Sequence, residues 1–132
     1  MSEGFNLEIV NPEKSFLKKD NVTEVVVPAF EGEMGILKDH ISIISFLKPG
    51  IIKIFSGNDE ENFYVDDGIV EFKENILSIL TSNIFDVKKS DKNNIQEMIK
   101  QAEIDLTGEN LDDQRRFILS QKVEVLKSLS LN

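Results

Sequence analysis

His40 is the single histidine of this 132-residue chain, set in Lys38-Asp39-His40-Ile41, and the chain contains no cysteine. A zinc site needs three or four nitrogen, sulfur or carboxylate ligands at fixed spacing, and the sequence has neither an HExxH pair nor a CxxC pair. It also lacks a Gly-x-Ser-x-Gly elbow and a glycine-rich phosphate loop followed by Lys. Paired carboxylates remain: Glu31 with Glu33, and Asp66 with Asp67, each beside glycine. In a chain of formal charge −9, such pairs read as solvated turns rather than an acid and a base tuned apart by their surroundings. Asp59-Glu60-Glu61 reads as an exposed loop. Arg115-Arg116 reads as a solvated helix face, the rival reading being electrostatic docking on an acidic partner surface. No catalytic residue, metal or cofactor is expected.

One segment invites contact rather than catalysis. Pro28-Ala29-Phe30-Glu31-Gly32-Glu33-Met34-Gly35-Ile36-Leu37 joins two strands with two glycines, two carboxylates, and Phe30 and Met34 between them. It reads either as a loop whose glycines take positive φ with the apolar residues folded inward, or as a projecting loop with Met34 as an adaptable anchor between two orienting charges.

The elements that must carry these residues divide in two. Residues 1–84 hold seven lysines against fifteen Asp or Glu, all three prolines and six of the seven glycines; residues 85–132 are nearly neutral. Glycine and proline punctuate strands and are costly inside helices, so strands come first and helices second. The strand candidates are the run around Leu7 and Ile9, then residues 22–27, with Pro28 as a stop, 36–37, 41–47, 51–55, 63–65, 69–72 and 76–80. Turn signals recur about every 8–12 residues, the pattern of an all-β sandwich. Residues 51–54 are apolar on both faces, which calls for a cover from the tail or a partner. The prediction is an antiparallel β-sandwich of eight to ten strands. In the tail, Ile95, Met98, Ile99, Ala102 and Leu106 make one helical stripe, and Leu111, Ile118 and Val125 another, with caps expected at Ser90 or Asp91 and at Asn110. The result is a C-terminal antiparallel two-helix hairpin over 85–132. An acidic chain of this kind is a poor partner for nucleic acid. Its longest apolar run is far below a membrane span, and the polar start over residues 1–4 shows no targeting segment.

Glu31-Gly32-Glu33-Met34-Gly35-Ile36-Leu37, with His40 three residues beyond, resembles the E-G-E-[LM]-G-I-L-x-x-H signature of the epsilon subunit of the bacterial F-type proton-translocating ATP synthase (delta in mitochondria). Leu7-Glu8-Ile9-Val10, Pro12-Glu13, Leu47-Lys48-Pro49-Gly50, Tyr64-Val65 and Gly68-Ile69-Val70-Glu71-Phe72 follow the family's order, so the resemblance spans nearly the whole chain. It implies a ten-stranded head at the foot of the gamma subunit, a non-catalytic rotor piece. The loop of Glu31, Gly32, Glu33, Met34, Gly35 and Ile36 would meet the c-ring, and Asn11 and His40 would lie near gamma. The helical hairpin would regulate ATP hydrolysis, folded on the head or extended along gamma and reaching alpha and beta. Such a subunit sits peripherally on the cytoplasmic face of the bacterial inner membrane. Departures include Ile41-Ser42 for Ala-Pro and Asp67 before Gly68. Lys89 and Ser90 stand where the nucleotide motif I-D-x-x-R-A has Arg and Ala, leaving a degenerate ATP site of Asp86 and Lys89. With only Arg115, Arg116, Lys122 and Lys127 on the second helix, modest inhibition is implied. The competing readings are a free-standing β-sandwich binding module for a small ligand or peptide, dimerised by its hairpin, and, with least support, a hydrolase using the carboxylate pairs.

Overall fold

Runs of β-branched and aromatic residues separated by Gly, Pro and Asn turns pair into strands. These are β1 (Phe5–Val10), β2 (Ser15–Val22), β3 (Glu24–Ala29), β4 (Gly32–Leu37), β5 (Ile43–Leu47), β6 (Gly50–Ser56), β7 (Asp59–Val65), β8 (Gly68–Lys73), β9 (Ile76–Thr81) and β10 (Ile84–Asp86). A short 3-10 turn at Val87–Lys89 leads to α1 (Lys92–Asp105) and α2 (Asp113–Ser130). The computed structural model describes residues 4–131; residues 1–3, within the start read above as untargeted, and Asn132 lie outside the described residues.

The strands are hydrogen-bonded in the order β10-β7-β6-β3-β5-β8-β9-β1-β2, with β4 on β3. β1 and β9 run parallel, while the other pairings are antiparallel. The path bends into two layers at β3–β5, where Ala29 faces Leu47 and the ladder is carried by Phe30 N–H to Phe46 O (3.1 Å) and Lys48 N–H to Pro28 O (3.0 Å). Between the layers lies the main core, with Leu7, Ile9, Val25, Val27, Ile52, Ile54, Phe63, Val65, Phe72 and Ile79 among its buried members. Phe5 meets Phe72 edge-on at 5.4 Å, and Phe16 of β2 meets Phe63 of β7 at 5.7 Å. The Lys19–Glu61 ion pair joins the same two strands at the rim.

Several local expectations are corrected. β2 was not anticipated; it is an edge strand carrying Lys18, Lys19 and Asp20, and charge is how an edge discourages pairing with a second chain. Pro28 does not end β3. It lies beyond the last β3–β6 pair, Val26 with Lys53, so its missing N–H stops that ladder, while on the other side Pro28 still faces Glu33 of β4. The contact segment is therefore a tight hairpin whose turn is Phe30 and Glu31 alone. Of its two glycines only Gly32 has positive φ, +135°. Ile41 lies outside β5. Phe85 lies within β10, so the composition change at residue 85 falls inside the last strand. Asp91 caps α1 by accepting from Asn93 N–H at 3.0 Å, and α2 is capped by Asp112, not Asn110, through Arg115 N–H at 2.7 Å.

Gly68 is where β8 begins, between Leu47 and Thr81. A Cβ there would sit 2.1 Å from the Leu80 carbonyl oxygen and 3.2 Å from Thr81 Cα, both backbone. Gly68→Ala must push β8 off β9, so it is expected to cost about 1–3 kcal/mol, read as a lower urea midpoint. An unchanged midpoint would mean that the two strands are free to part here.

Candidate functional site

Each layer has an outer face as well as an inner one, and both outer faces carry an apolar row. On the β6–β7–β10 side, Ile51, Tyr64 and Phe85 stand in register, and Tyr64 stacks on Phe85 at 5.0 Å. This row is covered. Ile95 and Ile99 of α1 and Leu126 of α2 pack on it, with Met98, Val125 and Leu129 around them. The helix stripes read from the sequence thus have their partner in the side of β6 and β7 that points away from the core.

On the other layer, Phe46, Ile69, Leu80 and Val10 stand in register across β5, β8, β9 and β1, with Ile44 in the next row beside Glu71. Nothing in the chain covers them among the described residues: Ile44 is 72% and Phe46 65% exposed, and Ile69 and Leu80 are also open. A shallow depression of about 490 Å³ runs beside the row, lined by Pro12, Phe46, Gly68, Ile69 and Leu80. A contiguous apolar row on a face of a strongly acidic protein is the mark of a protein interface.

The predicted contact residues fall around these faces. Asn11 closes the β1–β2 turn, its Oδ1 accepting from Glu13 and Lys14 N–H at 3.0 Å, one residue past Val10. His40 lies at the opposite end of the same layer. Its Nδ1 is 2.7 Å from the Ile41 carbonyl, and its ring meets Phe72 edge-on at 6.0 Å. The neighbouring turn is fixed by Asp39 and Asn75, which exchange bonds of 2.7 and 2.9 Å. Glu31, Glu33 and Gly35 are exposed on the β3–β4 hairpin, while Met34 packs half-buried on the core and Ile36 is fully buried. The hairpin therefore offers charge outward and keeps its apolar residues as a root. Phe30 at its turn touches Phe117 of α2, ring centroids 5.8 Å apart.

Asp66 and Asp67 do not form a solvated turn. Asp66 is buried; it accepts from the Tyr64 hydroxyl at 2.8 Å, and Lys122 Nζ of α2 lies 3.3 Å from both of its carboxylate oxygens. Burial, reinforced by this carboxylate, pushes the Tyr64 phenol well above its ordinary range, so it stays a proton donor. Tyr64 and Lys122 were missed as site residues. The available signal was a large aromatic at an outward position of a strand whose other outward positions, Glu60 and Asn62, are polar.

Asp86 spends its carboxylate on Lys88 N–H at 2.9 Å, capping the 3-10 turn. Lys89 is exposed between two depressions. One, about 390 Å³, is lined by Phe85, Asp91, Asn94 and Met98 at the α1 start; the other, about 430 Å³, by Phe16, Glu61, Phe63 and Asp86. The first sets one carboxylate and the second two beside that lysine, an arrangement poorly suited to a triphosphate. Among the described residues, no group of three His, Cys, Asp or Glu is placed to hold a metal.

A β head with one bare apolar face, an acidic hairpin and a docked pair of helices defines a protein built for assembly. The family model described as ATP synthase, Delta/Epsilon chain, beta-sandwich domain matches residues 4–87, and the chain belongs to this family. It is 65% identical over 130 residues to the ATP synthase epsilon chain of Pelagibacter ubique (strain HTCC1062), covering 98% of this chain and 100% of that one. To the ATP synthase epsilon chain of Rhizobium meliloti (strain 1021) it is 30% identical over 130 residues, with 98% and 95% covered. Its fold is shared with a chain in the structure of the Euglena gracilis mitochondrial ATP synthase OSCP/F1/c-ring assembly, at a TM-score of 0.74 and 19% identity, over 99% of this chain and 82% of that one.

With the Asp86 carboxylate already engaged and Lys in place of the guanidinium fork, calorimetric titration of the full chain with ATP to millimolar concentration is expected to give no saturable heat. Saturation in the micromolar range would contradict this.

Proposed function

We infer that this chain is a non-catalytic rotor subunit of an F-type ATP synthase, its β head bridging the gamma subunit to the membrane c-ring. The observation that carries the reading is the uncovered row of Ile44, Phe46, Ile69 and Leu80. The family supplies its occupant, since the relatives are synthase epsilon chains. Gamma lies on this face, with Asn11 and His40 at its two ends. The β3–β4 hairpin, with Glu31 and Glu33 outward, faces the polar loops of the ring, and Gly32, Met34, Gly35 and Ile36 give it its shape. Residues 1–84 act as the coupling head and 85–132 as the regulatory hairpin, which adopts the folded position in this structure. No helix among the described residues is long and apolar enough to cross a membrane. On the rotor reading the subunit attaches through its partners, peripherally at the cytoplasmic face of the cell membrane.

The test is co-purification from detergent-solubilised membranes. Wild-type chain is expected to bring gamma and the ring; the double variant Phe46→Asp/Ile69→Asp is expected to lose gamma, because two charges then face a desolvated contact. Retention of gamma by that variant, or capture of neither partner by the wild type, refutes the reading and leaves the free-standing module. Glu33→Arg is expected to weaken attachment to the ring while unfolding free energy stays within about 0.5 kcal/mol, as for other exposed surface positions. A large loss of stability with normal coupling would make Glu33 structural instead.

A further inference from the structure

We propose that Asp66 is the lock of the helical hairpin: its carboxylate ties Lys122 of α2 to Tyr64 of β7, and losing that tie frees both helices from the head together.

The turn does not need the carboxylate for its own shape. Asp66 N–H donates to Asn83 O at 3.1 Å, and its carbonyl accepts from Thr81 Oγ1 at 3.2 Å. The side chain is left to serve the hairpin. The Tyr64 hydroxyl fixes Oδ1 from the head side at 2.8 Å, which aims both oxygens at the helix. Lys122 then approaches from α2 to 3.3 Å. The side chains of the pair are only 13% and 22% exposed, so solvent screens them little.

Lys122 and Leu126 are one helical turn apart and share a face of α2. Leu126 is fully buried in the cluster that covers Tyr64. The same tyrosine thus takes the Leu126 cluster on its ring while its hydroxyl holds Asp66, the acid that Lys122 of that α2 stripe engages. The two contacts form and break together. An ion pair of this kind adds little over a hydrophobic substitute. Removing one member leaves the other charged and half-desolvated, and that residue's easiest route back to water is departure of the helix. Each partner alone therefore opposes docking, and the pair permits it.

What release does to turnover rests on the rotor reading; docking itself is a property of the isolated chain, so its test does not depend on gamma or the ring. Amide hydrogen exchange of the full chain is measured over α1 and α2, with β8 and β9 as the internal reference. In Lys122→Met, which keeps an unbranched apolar stem, and in Asp66→Asn, exchange across both helices is expected to quicken about tenfold while the reference strands hold. The double variant should be less affected than the product of the two singles, the signature of a direct pair. A change of less than twofold in Lys122→Met overturns the proposal, as does a double variant equal to that product. If Asp66→Asn also loosens β8, Lys122→Met, which alters no head residue, decides alone.

Discussion

A two-layer sheet of this size cannot hide all of its apolar side chains between its layers, and the surplus governs how this molecule works. Residues such as Ile51, Tyr64 and Phe85 on one outer face and Phe46, Ile69 and Leu80 on the other stand at positions that a solitary sandwich would give to polar residues. Water excludes both rows with comparable force. The chain answers one of them with its own helices and leaves the other bare, the surface proposed above for gamma. Assembly and self-cover are thus two solutions of the same hydrophobic problem, placed on opposite sides of a shared core.

Charge sorts these surfaces. The exposed side chains at the tip of the β3–β4 hairpin are carboxylates, held out by a turn that only glycine at φ +135° completes comfortably. On the covered face the one buried acid among the described residues is Asp66, matched with a cation from the cover. The first arrangement suits a wet, exchangeable rim, the second a closure that depends on the partner being present.

Much of this was readable from residue order. The shift from short, turn-bounded segments to three-and-four spacing after residue 91 reports a real change from strands to helices, because the two periodicities place apolar side chains so differently. The doubly apolar character of residues 51–54 foretold a covered outer face, and Ile51 lies under the helices. What stayed hidden depended on tertiary company. β2 is too charged to look like a strand until its edge position is known. Asp66 looks like any acidic turn residue, since its burial comes from a helix 56 residues away in the chain. The contact segment looked like a loop because Pro28 and two glycines normally interrupt strands. Here Pro28 merely sits where one of its two ladders ends, and only one glycine bends the chain. The residues proposed to face gamma and the ring came from family resemblance, whereas the bare apolar row required register across four strands.

The link between head and helices has a kinetic meaning. Between the end of β10 at Asp86 and the start of α1 at Lys92 lie five residues, three of them in the 3-10 turn. Even drawn straight, such a tether reaches only about 17 Å, at roughly 3.4 Å per residue. The root of α1 can therefore never stray beyond the neighbourhood of its seat, and the head experiences it at an effective concentration of millimolar order, however dilute the protein. Any surface that captures the hairpin elsewhere competes against that standing local excess, so return to the seat is fast and prolonged absence requires a strong rival hold.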